Sequence, residues 1–213
     1  MIDIRPGKDT WIGRSIAIAT AHPLGVGDAK YRTAKTAGDA DTVAFGCYYK
    51  VTVEKVGYYN EKLYINEDYE FNSRLRALGM KIWVDPAIST IYYSRASLWA
   101  LAKQYFSYGF WKVRMLRKFP KTLRWRQALP PLFVLGILML LLLSIFWTPA
   151  IWIFLGLLIT YILILAIGSL MSTIKHKDIR LGIGIPLAIM TMHFSWGSGF
   201  WLSFLGGEQK DRY

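Results

Sequence analysis

The stretch from Ala128 to Ile174, ALPPLFVLGILMLLLLSIFWTPAIWIFLGLLITYILILAIGSLMSTI, runs for 47 consecutive residues without an Asp, Glu, Lys or Arg. At about 20 residues per crossing it is long enough for two membrane spans. The Trp147-Thr148-Pro149 corner near its middle predicts a tight hairpin, and Pro130-Pro131 is expected to open the first span. A soluble domain would instead distribute its apolar residues in periodic stripes. The 54% hydrophobic and 15% aromatic content of the 213-residue chain is concentrated in this run and the segments beside it.

The flanks set an orientation. Between Lys112 and Arg126 lie seven bases, Lys112, Arg114, Arg117, Lys118, Lys121, Arg124 and Arg126, and no acid. A polybasic segment abutting a span reads as cytosolic and as a site for anionic lipid headgroups, not for nucleic acid. Lys175, Lys177 and Arg180 mark a second cytosolic loop. A third uncharged run, Leu181 to Gly207, contains His193, Ser195, Ser198 and several glycines, and suits a tilted span or a partly interfacial helix. Residues 128–207 thus hold two to three membrane helices, followed by a tail at 208–213 that an odd number of spans would place outside. The N-terminus, MIDIRPGKDTWIG, lacks the charged-then-apolar order of a signal peptide, so residues 1–127 are expected in the cytosol.

Ahead of the basic cluster, SLWALAKQYFSYGFWKVRMLRKFP reads as an amphipathic helix ended by Pro120. Lys103, Ser107, Arg114 and Lys118 form its polar stripe, opposite Leu98, Leu101, Tyr105, Phe106, Val113 and Leu116. With Trp99 and Trp111 at headgroup level, residues 97–127 read as an in-plane interfacial element. Residues 1–96 are mixed and polar. A helix capped by Asp9 or Thr10 is followed by a Gly-containing loop, and DTVAFGCYYK (41–50) is rich in β-formers, with Cys47 expected to fill a buried gap in a strand. A short helix should end at Gly57, and KIWVDPAISTIYY supplies two strands separated by Asp85-Pro86. One cysteine excludes an internal disulfide and a Cys-based zinc site. His22, His176 and His193 show no metal-ligand spacing.

The chemistry-bearing segment is NEDYEFNSRLRALG, residues 66–79. Asn66 is placed to cap a helix, Glu67 and Asp68 occupy its positive end, and Gly79 suits a left-handed exit. Phe71, Leu75 and Leu78 make the buried stripe; Glu67 and Asp68 flank it, while the i, i+4 pair Glu70 and Arg74 should lie toward water. Acids in a first turn are common for electrostatic reasons alone, so residue types leave their role open.

Taken in order, HPLGVGDAKYR (22–32), DTVAFGCYYK (41–50), VGYYNEKLYINEDYEFNSRLRALG (56–79), IWVDPAI (82–88) and YYSRASLWALAKQYFSYGFWK (92–112) resemble the C-terminal part of membrane-bound family 2 glycosyltransferases of the succinoglycan and exopolysaccharide type. The resemblance implies an α/β fragment of a GT-A catalytic domain in residues 1–96, on the acceptor side, followed by the interfacial and transmembrane helices. It implies an inverting transfer from a nucleotide-sugar donor to a lipid-linked or polysaccharide acceptor at a bacterial inner membrane. Asp68 would be the catalytic base, and Glu67, Arg95 and Gln104 would bind substrate. Such enzymes use Mg²⁺ or Mn²⁺, expected from an N-terminal half that has no counterpart here, so no metal residue is assigned. Asp39-Ala40-Asp41 matches the family's Asp-x-Asp only as a string. Lys121 stands where processive synthases carry the Gln of Gln-x-x-Arg-Trp, which speaks against chain extension. Without that donor-binding half the chain by itself is expected to be inactive and to bind donor poorly or not at all; one half of a split enzyme and a non-catalytic membrane scaffold are the alternatives.

Overall fold

The structure, a computed structural model, describes residues 1–206. It is mostly helical, with two small two-stranded sheets and two long apolar helices. The tail beyond Gly206 lies outside the described residues.

The polar part is built from β1 (Ile2–Arg5), α1 (Trp11–Ala19), α2 (Pro23–Val26), α3 (Lys30–Thr33), β2 (Gly38–Ala40), α4 (Lys50–Val56), α5 (Glu67–Ala77), β3 (Ile82–Val84) and β4 (Thr90–Tyr93). β1 pairs with β4 in parallel, Ile2 opposite Thr90, and β2 pairs with β3 antiparallel, Gly38 opposite Val84. The strands at Ile82–Val84 and Thr90–Tyr93 and the helix ending before Gly57 match expectation, as does the Thr10 cap of α1, whose hydroxyl accepts from the Gly13 amide at 3.1 Å. α5 lays Phe71 and Leu75 on Ala40, Val56, Ile82 and Val84 to form one core.

Several local expectations are corrected. Residues 41–50 form no strand, and Cys47 is exposed. The segment is instead an irregular strap tied over α5 by Asn72, which accepts from the Tyr48 hydroxyl at 2.7 Å and donates to Thr42 Oγ1 and the Val43 carbonyl, both at 2.9 Å. Three partners satisfy the buried amide and outweigh the β-propensity of the strap. Asn66 caps nothing through its side chain; it adopts φ 69° and turns the chain into α5. Leu78 is 51% exposed because the helix has ended by that position. Glu70 faces inward. Arg74 bridges it at 2.7 Å while donating to the carbonyls of Val56, Gly57 and Tyr58, so the pair satisfies the C-terminal end of α4.

The helices that follow are α6 (Leu98–Lys118), α7 (Trp125–Leu143), α8 (Pro149–His176) and α9 (Leu181–Leu205), with a 3₁₀ turn at Pro120–Thr122. α7 and α8 form the expected hairpin, and each is long and apolar enough to cross a membrane. Only 11% of the residues in either apolar window are buried, which separates them from core helices of a soluble protein. Pro130 and Pro131 do not open α7 but sit inside it. The carbonyl of Gln127, which loses its intrahelical partner to Pro131, accepts from Trp196 Nε1 at 3.1 Å, and the Pro131 carbonyl accepts from Trp201 Nε1 at 2.7 Å. The Trp196 bond to the Gln127 carbonyl is the side-chain replacement that lets Pro131 remain in an apolar helix, and the Trp201 bond ties the same turn to α9.

The third uncharged run is the hub. α9 packs along nearly the full length of α6, and against α1, the start of α7 and the end of α8. Contact is close because glycines face backbone: a Cβ on Gly109 would lie 2.1 Å from the Trp196 carbonyl oxygen, and one on Gly199 would lie 2.1 Å from that of Phe106. Ile16, Leu101, Leu165, Ile185, Ile189 and Met192 are buried together in this second core. The amphipathic reading of α6 fits, with Leu101, Tyr105 and Val113 inside and Lys103 and Lys118 exposed.

Candidate active site

The basic cluster before α7 is not wholly free to meet lipid. Arg126 Nη2 bridges Asp41 at 2.6 Å and Nη1 bridges Asp28 at 2.7 Å, while Arg124 approaches Asp41 at 3.4 Å. These pairs pin the entry of the hairpin to the polar part.

Lys112 is fully buried, lies 3.9 Å from the centre of the Tyr69 ring and donates to the Thr122 carbonyl at 3.1 Å. Burial pulls its ammonium down to about 7, with Arg126 acting in the same direction and Asp41 opposing. A lysine depressed from 10.5 opposes folding at full strength below about pH 7, and that cost fades as pH rises toward 10.5. Lys112→Met is therefore expected to melt higher than wild type by a margin that is largest near pH 6 and shrinks toward pH 10. A margin independent of pH would show that the ammonium is not desolvated.

α5, α6, the 23–32 loop and the base of the hairpin enclose a cavity of about 1090 Å³. Glu67 and Asp68 reach it from the first turn of α5, Arg95 from the segment after β4, and Gln104 from α6, so the four residues singled out in the sequence line one space. Gln104 Nε2 donates to the hydroxyls of Tyr92, at 3.0 Å, and Tyr108, at 2.8 Å, which fixes the amide on the cavity wall. Burial pushes the Asp68 carboxyl above the ordinary aspartate value. The 2.6 Å hydrogen bond from the Tyr69 amide works against this, the charge of Glu67 adds to it, and Arg32 holds it back. A raised carboxylate is a stronger proton acceptor.

Two cavity residues carried no assigned role. Arg32 belongs to the HPLGVGDAKYR segment, but nothing in residue type or spacing distinguishes it from other surface arginines. Lys103 is visible in sequence only as part of the polar stripe of α6. Both line the cavity. Among the described residues no three His, Cys, Asp or Glu side chains come together to hold a metal. Asp41 is engaged by two guanidinium groups, so the Asp39-Ala40-Asp41 string does not fit a metal site.

The chain is 30% identical over 205 residues to the succinoglycan biosynthesis protein ExoA of Rhizobium meliloti, covering 92% of this chain and 58% of that protein. It is 31% identical over 184 residues to the dolichyl N-acetyl-alpha-D-glucosaminyl phosphate 3-beta-D-2,3-diacetamido-2,3-dideoxy-beta-D-glucuronosyltransferase of Methanococcus voltae, covering 85% of this chain and 53% of that one. The chain is thus related to family 2-like glycosyltransferases, as its motifs indicated. It spans about half the length of the curated relatives it matches. No family model and no solved structure matches it.

Proposed function

We propose that this chain forms the acceptor-side and membrane-embedded part of an inverting glycosyltransferase, which moves a sugar from a nucleotide-sugar donor to a lipid-linked acceptor in envelope or exopolysaccharide synthesis. The observation that carries the reading is the enclosure of a raised carboxylate, Asp68, in one cavity with Glu67, Arg95 and Gln104 at the base of an apolar hairpin. The relatives' names support the class of reaction.

In this reading the acceptor hydroxyl oxygen bonds to the anomeric carbon as the bond from that carbon to the nucleoside diphosphate breaks. The hydroxyl proton passes to Asp68, and the diphosphate carries away the bonding electrons. Glu67 orients the acceptor and keeps the Asp68 carboxyl basic, while Arg95 and Gln104 supply charged and neutral hydrogen bonds to the substrates. The α/β portion is read as part of a GT-A domain. The divalent metal common to such enzymes would be held by residues other than those described, and no step here runs through it. The reaction is tested by supplying membranes that carry the protein together with a donor-binding part with a panel of labelled nucleotide sugars and following label into extractable lipid.

The setting is a bacterial plasma membrane, crossed by α7 and α8, with residues 1–127 cytosolic. Because α9 packs against α6 and α1, it stays on the cytosolic face beside them rather than crossing. On a Cys47→Ser background, Phe146→Cys at the hairpin tip should react with an impermeant thiol reagent only from outside. Ile179→Cys and Leu205→Cys should react only from the cytosolic side. Labelling of Leu205→Cys from outside would make α9 a third span.

A further inference from the structure

The lining of the cavity joins the carboxylates of Glu67 and Asp68 to the apolar side chains of Leu24, Val26, Leu129 and Phe133, contributed by α2 and the start of α7. Arg32 belongs to the same lining. Its Nη1 donates to the Thr20 carbonyl at 3.0 Å, but its buried Nε has no partner, and no carboxylate lies within 4.0 Å of its guanidinium among the described residues. The groups beside it are phenols: Tyr31, whose ring centre is 5.4 Å from the guanidinium carbon, and Tyr105 and Tyr108 of α6. Tyr31 and Tyr105 hydrogen-bond the guanidinium and the charge of Asp68 reaches it, but none of these is a bridging anion, and an orphaned buried donor on a cavity wall is costly. Tyr108 packs edge-on to Trp196 at 6.5 Å, and Tyr105 belongs to the same core as Met192, so the phenols beside the cation are themselves held by α9.

We infer that Arg32 holds the phosphate of a polyprenyl-phosphate-linked acceptor, with the lipid chain leaving between α2 and α7 past Leu24, Val26, Leu129 and Phe133. This rests on the glycosyltransferase reading and deepens it by naming the residue that anchors the acceptor. A guanidinium gives a phosphate forked, charge-assisted hydrogen bonds. The apolar wall then selects a phosphate that carries a hydrocarbon chain over a free one.

The experiment measures binding rather than turnover. The full chain is reconstituted in nanodiscs of phosphatidylcholine and titrated with a long-chain polyprenyl phosphate, the matching polyprenol, phosphatidylglycerol and a nucleoside diphosphate. The phosphate should bind at one site, at least tenfold tighter than the polyprenol. Arg32→Gln should lose that margin, Arg32→Lys should recover part of it, and Leu129→Glu should weaken the polyprenyl phosphate. A photoreactive polyprenyl phosphate should label residues 22–32 or 124–133 in the wild-type protein, a readout that stands even where an Arg32 variant fails to fold. Equal binding of phosphate and alcohol, one-for-one displacement by phosphatidylglycerol, or loss of only nucleoside diphosphate binding in Arg32→Gln would each overturn the assignment. Asp68→Asn, which removes a competing negative charge, should keep or widen the margin of the phosphate over the polyprenol. Failure of the catalytic reading, seen as transfer indifferent to Asp68, is thereby distinguishable from failure of this one.

Discussion

Asp68→Asn is expected to slow sugar transfer by about 10²- to 10⁴-fold with the fold and acceptor binding intact. The amide keeps the size of the side chain and can still accept the 2.6 Å hydrogen bond from the Tyr69 amide, so α5 should start as it does now. It has no basic oxygen at neutral pH, and a sugar hydroxyl is too weak a nucleophile to attack while it keeps its proton. The comparison to make is transfer by variant and wild type, each reconstituted with a donor-binding part, normalised to protein and checked by melting temperature. A loss smaller than about threefold would be far below what a general base contributes and would move the role to another residue. Glu67→Gln should be milder, because its expected contribution is orientation and field rather than proton acceptance.

The second large effect concerns stability. Arg126→Ala should destabilise the folded protein by about 3 kcal/mol, because it strands Asp41, whose side chain is 10% exposed. At a few degrees per kcal/mol for a chain of this size, the melting temperature should fall by roughly 6–12 °C. Asp28, which is largely exposed, should contribute little to that loss, and Arg124 at 3.4 Å recovers only part of the pairing. Arg126→Ala combined with Asp41→Ala should be less destabilised than Arg126→Ala alone, since no buried charge then remains unpaired. Equal melting temperatures for wild type and Arg126→Ala would show that the hairpin entry is held by something else. The pair also has a consequence for the site, because Arg126 lines the same cavity as Asp68.

What could be read from sequence divides by whether a segment settles its own structure. The α7–α8 hairpin, the amphipathic character of α6 and the left-handed exit at Gly79 are local: an uncharged run, a period and a glycine at φ +77° suffice. β1 and β2 were invisible because three or four residues become strands only through partners far along the chain, Thr90 to Tyr93 for one and Ile82 to Val84 for the other. The prolines of α7 looked like a boundary because their compensation comes from Trp196, 69 residues beyond Gln127. Glu70 looked solvated because an i, i+4 pair usually is, and only the carbonyls at the end of α4 explain why Arg74 draws it inward.

The site divides in the same way. Glu67, Asp68, Arg95 and Gln104 were marked by motif order, and the fold brings all four to one cavity. Arg32 was not marked. Its significance is a missing partner, and that becomes visible only when the surrounding α1, α3 and α6 are in place. The inward turn of Arg126 likewise depends on Asp28 and Asp41, which lie 98 and 85 residues earlier.

The most direct measurement is the pH dependence of transfer for wild type and Glu67→Gln. With Asp68 as base, activity falls as pH drops through its raised value, so the acid limb of the wild-type profile should sit above the ordinary aspartate range. Removing the neighbouring charge should move that limb to lower pH, because Glu67 helps to hold the Asp68 proton. An acid limb at the same pH in both proteins, with Asp68→Asn still active, would contradict the central claim that this half-buried carboxylate accepts the proton of the attacking hydroxyl.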